Sequence, residues 1–212
     1  MAHHLLVLDD EPLTRVSVSA ALEARDGYTV VCQASSASQA LEFASSHRVD
    51  VAFLDIYLGP GPHGIDVGWE LRRMKPTMGI VFLTSIKDPR VLGHDYRGAP
   101  SGSLYLEKAQ VSSVDDLYVT VDHARATALR GSAKMRPPSK LPFTTHQLHI
   151  LKLVSQGLSN AEIAAELRVS DKAIEATISR LSRVLGLTET TGGNRRVHIV
   201  RTYLASIGMT LP

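Results

Sequence analysis

Through the first half of the chain, short apolar runs alternate with stretches whose apolar residues recur every three or four positions. The runs HLLVLD (His4–Asp9), TVVCQA (Thr29–Ala34), DVAFLD (Asp50–Asp55), GIVFLT (Gly79–Thr84) and SLYL (Ser103–Leu106) predict five strands. Several are apolar without alternation, the pattern of strands covered on both faces in a parallel sheet. Between them Leu13, Val16, Ala20 and Ala24 fall at helical spacing, as do Ala37, Ala40, Leu41 and Ala44, and then Val67, Leu71 and Met74. Strands alternating with helices in this way predict a doubly wound α/β domain on a five-stranded parallel sheet. After the fourth strand, DPRVLGHDYRGAP carries two glycines and two prolines, so a short or irregular helix is expected there.

The pattern breaks at RGSAKMRPPSKLP, Arg130 to Pro142, where three prolines and basic residues replace apolar ones. That composition predicts a linker. Beyond it the period is helical throughout. Leu148, Leu151 and Val154 mark one helix, stopped by Gly157. Ser159 or Asn160 caps a second, Ala161–Leu167, with Ile163, Ala164 and Leu167 inward, and Ser170 caps a third, Asp171–Leu185, with Ile174, Ile178, Leu181 and Leu185 inward. The second and third, joined by Arg-Val-Ser, predict a helix-turn-helix in a small all-α domain. The expected division is 1–130, a linker over 131–142, and 143–212.

Charge sharpens the division. Residues 1–130 carry 12 Lys and Arg against 16 Asp and Glu, a net −4, whereas residues 131–212 carry 11 against 5, a net +6. An acidic front and a basic back predict different partners, a polyanion for the second. No apolar run approaches the ~20 residues of a membrane span. The lone cysteine, Cys32, excludes an internal disulfide, and with a start that lacks a signal-peptide layout it points to the cytoplasm.

In an open parallel sheet, ligands bind beyond the carboxyl ends of the strands. There the first strand offers Asp9 and Asp10, the third Asp55, the fourth Thr84, and the fifth is followed by Lys108. Singly, each has an ordinary explanation: Asp9 or Asp10 caps the helix beginning near Pro12, Asp55 is a turn residue, Thr84 a strand former, Lys108 a solvated cation. Together they form a set suited to phosphoryl transfer onto a carboxylate. Three hard oxygen ligands suit Mg²⁺, Asp55 is the nucleophile, and Thr84 and Lys108 receive the new phosphoryl oxygens.

The ordered set LVLDDEP, DVAFLDIYLGPGPHGIDV, GIVFLTS and SLYLEK resembles the flavodoxin-like receiver domain of two-component response regulators, over about residues 3–130. The resemblance implies a sensor histidine kinase as phosphodonor to Asp55, and Asp9, Asp10, Asp55 and the backbone carbonyl of Tyr57 as Mg²⁺ ligands. It implies Thr84 and Lys108 as readers of the phosphate, and Tyr105 as the aromatic switch that turns inward with the threonine. The loop after Asp55 departs from the family's usual order: Gly59 and Pro60 are inverted, one residue is inserted before Gly64, and His63 stands where an acid or amide is usual.

In the basic half, GLSNAEIAAELRVSDKAIEATISRLSRVLGL resembles the LuxR-type DNA-binding domain, over about residues 141–207. That resemblance implies a four-helix domain that binds promoter DNA as a dimer. Lys172, Glu175, Ala176, Ser179, Arg180 and Arg183 on the recognition helix, with Arg195 and Arg196 beyond it, are the expected DNA-facing residues. Here too the chain departs from its family, with Ala173, Ile174 and Glu175 where Thr-Val-Lys is common.

The expectation is therefore a cytoplasmic, non-enzymatic response regulator, phosphorylated on Asp55, dimeric when phosphorylated, and bound to promoter DNA. Three alternatives remain open: an Mg²⁺-dependent phosphatase, which lacks an acid at Tyr57; a helix-turn-helix that binds protein; and a receiver that works without phosphate.

Overall fold

The computed structural model describes residues 2–58, 62–85, 98–130, 143–185 and 195–206. They fall into two units divided between residues 130 and 143. The linker expected over 131–142 and the irregular helix expected after the fourth strand lie outside the described residues.

The first unit is a five-stranded sheet: β1 (His3–Leu8), β2 (Tyr28–Ala34), β3 (Val51–Asp55), β4 (Gly79–Thr84) and β5 (Leu104–Glu107). The strand order is β2-β1-β3-β4-β5 and every pair is parallel. Every residue of β3 and β4 is buried, as their unbroken apolar runs require. Alternate residues serve opposite faces. Leu5, Val7, Val51, Phe53, Val81 and Leu104 meet α1 (Pro12–Glu23) and α4 (Val114–Arg130) through Leu22, Leu117, Val121 and Ala124. The other face meets α2 (Ala37–Ser46) and α3 (Gly64–Met74). Gly68 of α3 lies so close to Phe82 and Leu54 that a β-carbon there would stand 2.8 Å from the Phe82 ring.

The predicted apolar spacing of α1 turns out to be its exposed stripe. Leu13 is 74% and Val16 56% exposed, with Ala20 and Ala24 also in solvent. The helix instead turns Val18, Ser19, Ala21 and Leu22 inward. Ser19 tolerates burial because its hydroxyl donates to the Arg15 carbonyl, 2.8 Å away.

The second unit holds α5 (Thr145–Ser155), α6 (Asn160–Leu167), α7 (Asp171–Val184) and α8 (Arg195–Ser206). Thr144, Ser159 and Ser170 cap α5, α6 and α7, each accepting from the amide three residues on. Gly157, at φ +90°, ends the first helical segment as expected. Leu148, Leu151, Val154, Ile163, Ile174, Leu181, Ile199 and Tyr203 form the core. The helix-turn-helix is α6 and α7, with Arg168 in the left-handed region at the turn.

Candidate functional site

At the carboxyl edge of the sheet, oxygen atoms of Asp9, Asp10 and Asp55 all lie within 4.8 Å of one another. Asp9 is only 2% exposed. Its Oδ1 accepts from the Glu11 amide at 2.9 Å, and its carbonyl accepts from Arg15 Nη1 at 2.7 Å. The ordinary alternative, Asp9 or Asp10 as a cap of α1, does not hold here. Glu11 occupies the cap position of α1, and its carboxylate accepts from the Thr14 hydroxyl, so both aspartates belong to the cluster.

Asp55 closes β3. Burial pushes its carboxyl up to about 7, the Lys108 charge counters this, and Asp9 adds to the rise. Lys108, in the 3-10 turn after β5, donates to Asp9 Oδ2 at 2.8 Å and lies 3.4 Å from Asp55 Oδ2. Burial alone would lower the lysine, but Asp55 and Asp9 together hold it raised. The ammonium thus binds two carboxylates to one place before any ligand arrives. A site with three carboxylates and the Lys108 ammonium between two of them suits a hard divalent ion such as Mg²⁺.

Thr84 ends β4, fully buried, opposite Glu107 in the ladder. Phe82, two residues back on the same face, pairs with Tyr105, and their rings lie 5.3 Å apart. Thr84 and Tyr105 therefore share one face of the sheet. Tyr57 is exposed, with its ring 6.3 Å from that of His63.

One participant escaped the sequence reading. Gly64 opens α3 against the backbone of Asp55, where a β-carbon would stand 1.8 Å from the Asp55 carbonyl oxygen. The Gly64 amide donates to the Ile56 carbonyl at 2.9 Å. This glycine seats α3 on the strand that ends in Asp55; Gly59 and Gly61 lie outside the described residues. A groove of about 440 Å³ runs beside the cluster, lined by Leu13, Ser17, Val18, Leu83, Lys108 and Val111 among others.

In the second unit, α7 buries Ile174, Leu181 and Ser182 and exposes Lys172, Glu175, Ala176, Arg180 and Arg183, with Ser179 half-buried. Arg180 Nε donates to the Ala176 carbonyl at 3.3 Å along its own helix. Arg195 is the first residue of α8, and its side chain lies outside the described residues. Arg196 has a duty that its charge did not announce. Its guanidinium donates to Asn160 Oδ1 at 3.0 Å and to the Leu158 carbonyl, tying α8 to the turn before α6.

An acid cluster with an adjoining lysine thus lies at the edge of a β2-β1-β3-β4-β5 parallel sheet, and a helix-turn-helix follows it in the chain. Residues 5–97 match the response regulator receiver domain family, and residues 141–192 match the bacterial regulatory proteins of the luxR family. The chain belongs to the transcriptional response regulators that join these two domains. It is similar to the Fimbriae Z protein of Salmonella typhimurium, 25% identical over 194 residues that cover 86% of this chain and 90% of that one. It is also similar to the oxygen regulatory protein NreC of Staphylococcus carnosus, 26% identical over 197 residues, 86% and 91% of the two chains. RcsB from Salmonella enterica serovar Typhimurium, solved bound to promoter rprA in the presence of the phosphomimetic BeF3⁻, shares the fold with a TM-score of 0.54, at 18% identity over 98% of this chain and 100% of that one. Among the described residues, no helix is long and apolar enough to cross a membrane.

Proposed function

We propose that this regulator accepts a phosphoryl group from a sensor histidine kinase on Asp55, and that the transfer switches its binding of promoter DNA. The observation that carries this reading is Lys108 Nζ shared between Asp9 and Asp55, inside a cluster of three carboxylates at a strand end. In the transfer an Asp55 oxygen attacks phosphorus, the new O–P bond forms as the N–P bond of a phosphohistidine breaks, and the imidazole nitrogen takes up a proton.

Attack needs the ionised carboxylate, and burial disfavours it. Lys108 offsets part of that penalty in place. Mg²⁺ held by Asp9, Asp10, Asp55 and the Tyr57 carbonyl would neutralise charge on the incoming phosphoryl oxygens. Once the acyl phosphate exists, Lys108 and the Thr84 hydroxyl donate to its oxygens. Thr84 and Tyr105 lie on one face, so movement of the hydroxyl vacates space toward which the half-buried Tyr105 ring turns.

Asp55 is only 9% exposed, so a macromolecular donor has to seat itself at the rim. The exposed Leu13 and Val16 on α1, with the groove that Leu13 borders, provide the apolar surface for that contact.

The receiver spans 1–130, the linker 131–142 and the DNA-binding domain 143–212. Phosphorylation pairs two such chains, and two heads on adjacent half-sites gain affinity through effective concentration. Lys172, Arg180 and Arg183 contact phosphates, while Glu175, Ala176 and Ser179 face the groove. Kinase output and promoter place the protein in the cytoplasm. The test is solution mass with Mg²⁺, before and after beryllofluoride. The wild type is expected to shift from monomer to dimer and Asp55→Asn to stay monomeric; an equal shift in both, or none in either, rejects Asp55 as the switch.

A further inference from the structure

On α7, Lys172, Glu175, Ala176, Ser179 and Arg183 each lie three or four positions from another of the set and so form one stripe. It lies opposite the buried Ile174 and Leu181. Any duplex read by this helix meets that stripe, with the N-terminal half of the helix nearest the base edges. Charge along the helix is unevenly placed. The N-terminal half carries two acids, Asp171 and Glu175, against the single cation Lys172, whereas Arg180 and Arg183 occupy the C-terminal half. Among the described residues Glu175 makes no ion pair, and it is exposed.

A carboxylate only accepts hydrogen bonds. Beside the phosphates of DNA it is repelled, so its presence on the reading stripe is favourable only where it meets a donor. The major groove offers few. Guanine shows two acceptors, thymine an acceptor and a methyl group, adenine an amino donor next to the N7 acceptor, and cytosine a donor alone. Ala176, beside Glu175, projects no more than a methyl group and lets the helix backbone approach the groove floor. From this we infer that Glu175 is a specificity-determining residue that reads the N4 amino group of a cytosine in each half-site.

The inference rests on the reading of α7 as the DNA-recognition helix, and one experiment separates the two. The full chain, activated with beryllofluoride and Mg²⁺, is used to select duplexes from a randomised pool, and wild type, Glu175→Gln and Glu175→Ala are compared by sequencing and by affinity at fixed salt. Wild type is expected to enrich one fixed C·G pair per half-site, and changing that pair alone weakens binding about tenfold or more. Glu175→Gln moves the preference at that pair to adenine, which offers a donor and an acceptor to the amide, while Glu175→Ala loses preference there and keeps it elsewhere. If both variants select the wild-type sequence and bind it more tightly, Glu175 only opposes phosphate and the inference fails. If wild type binds no duplex while a salt-sensitive interaction is also absent, the recognition-helix reading fails and this inference with it.

Discussion

The carbonyl oxygen of Asp55 occupies the space a side chain at Gly64 would need, with 1.8 Å between it and the position of a β-carbon. The start of α3 is thus built onto the backbone of Asp55. Gly64→Ala has no flexible group to displace, since the obstructing atoms are main chain. The variant is expected to lose about 3 kcal/mol or more, and whatever folds has Asp55 displaced from Lys108. Thermal unfolding and the beryllofluoride-induced mass shift should both suffer. A stable, switchable Gly64→Ala protein would show that α3 does not hold the site.

Titration of Asp55 yields a second prediction. Its carboxyl titrates near 3.8 when unfolded and about 7 when folded, so between those values the folded state holds the extra proton. Its contribution to stability is present below pH 4 and is lost as pH rises through 7, by at most about 4 kcal/mol. Asp55→Asn carries no such charge. In EDTA, the Tm advantage of Asp55→Asn over wild type should therefore grow from pH 5 to pH 8, by about 5 °C or more. Added Mg²⁺ should shrink that advantage at pH 8. An advantage that stays level across this range would mean the buried carboxylate costs the fold nothing.

Leu13, in the groove beside the site, and Val16, three residues on, stand exposed on α1, and covering a side chain of that size is worth about 1.5–3 kcal/mol. Leu13→Ser with Val16→Ser should slow phosphotransfer from the cognate kinase about tenfold or more. Phosphorylation by acetyl phosphate, which needs no docking surface, should change less than about twofold. Equal loss with both donors would place the damage in the site itself.

The same two residues show where reading a sequence succeeds and where it stops. β3 and β4 were legible because strands covered on both faces leave no polar position to misread, and their bounds differ from expectation by one residue or none. Asp9, Asp10, Asp55 and Lys108 were legible because parallel topology brings successive strand ends to one edge. For α1 the apolar period marked the wrong face, since Ser19 satisfies its hydroxyl on its own helix and can be buried, leaving Leu13 and Val16 outward. Gly64 and Arg196 act through backbone atoms of residues that no pattern connects to them. Such contacts arise only once the chain is folded.

Arg196 supplies the last prediction, because charge and geometry give it different duties. As a basic residue near the recognition helix it reads as a phosphate contact. In the structure its guanidinium joins α8 to the Leu158 carbonyl, just before α6, and to Oδ1 of Asn160, the first residue of α6. Arg196→Met removes both donors and should destabilise the second unit by about 1–3 kcal/mol. Arg196→Lys keeps the charge but not the two-pronged donor, so it should fall nearly as far. Affinity for DNA then drops with the fraction folded, and the slope of log K against log salt stays that of the wild type. A slope reduced by about one in Arg196→Met, with Tm unchanged, would instead return Arg196 to the phosphate backbone.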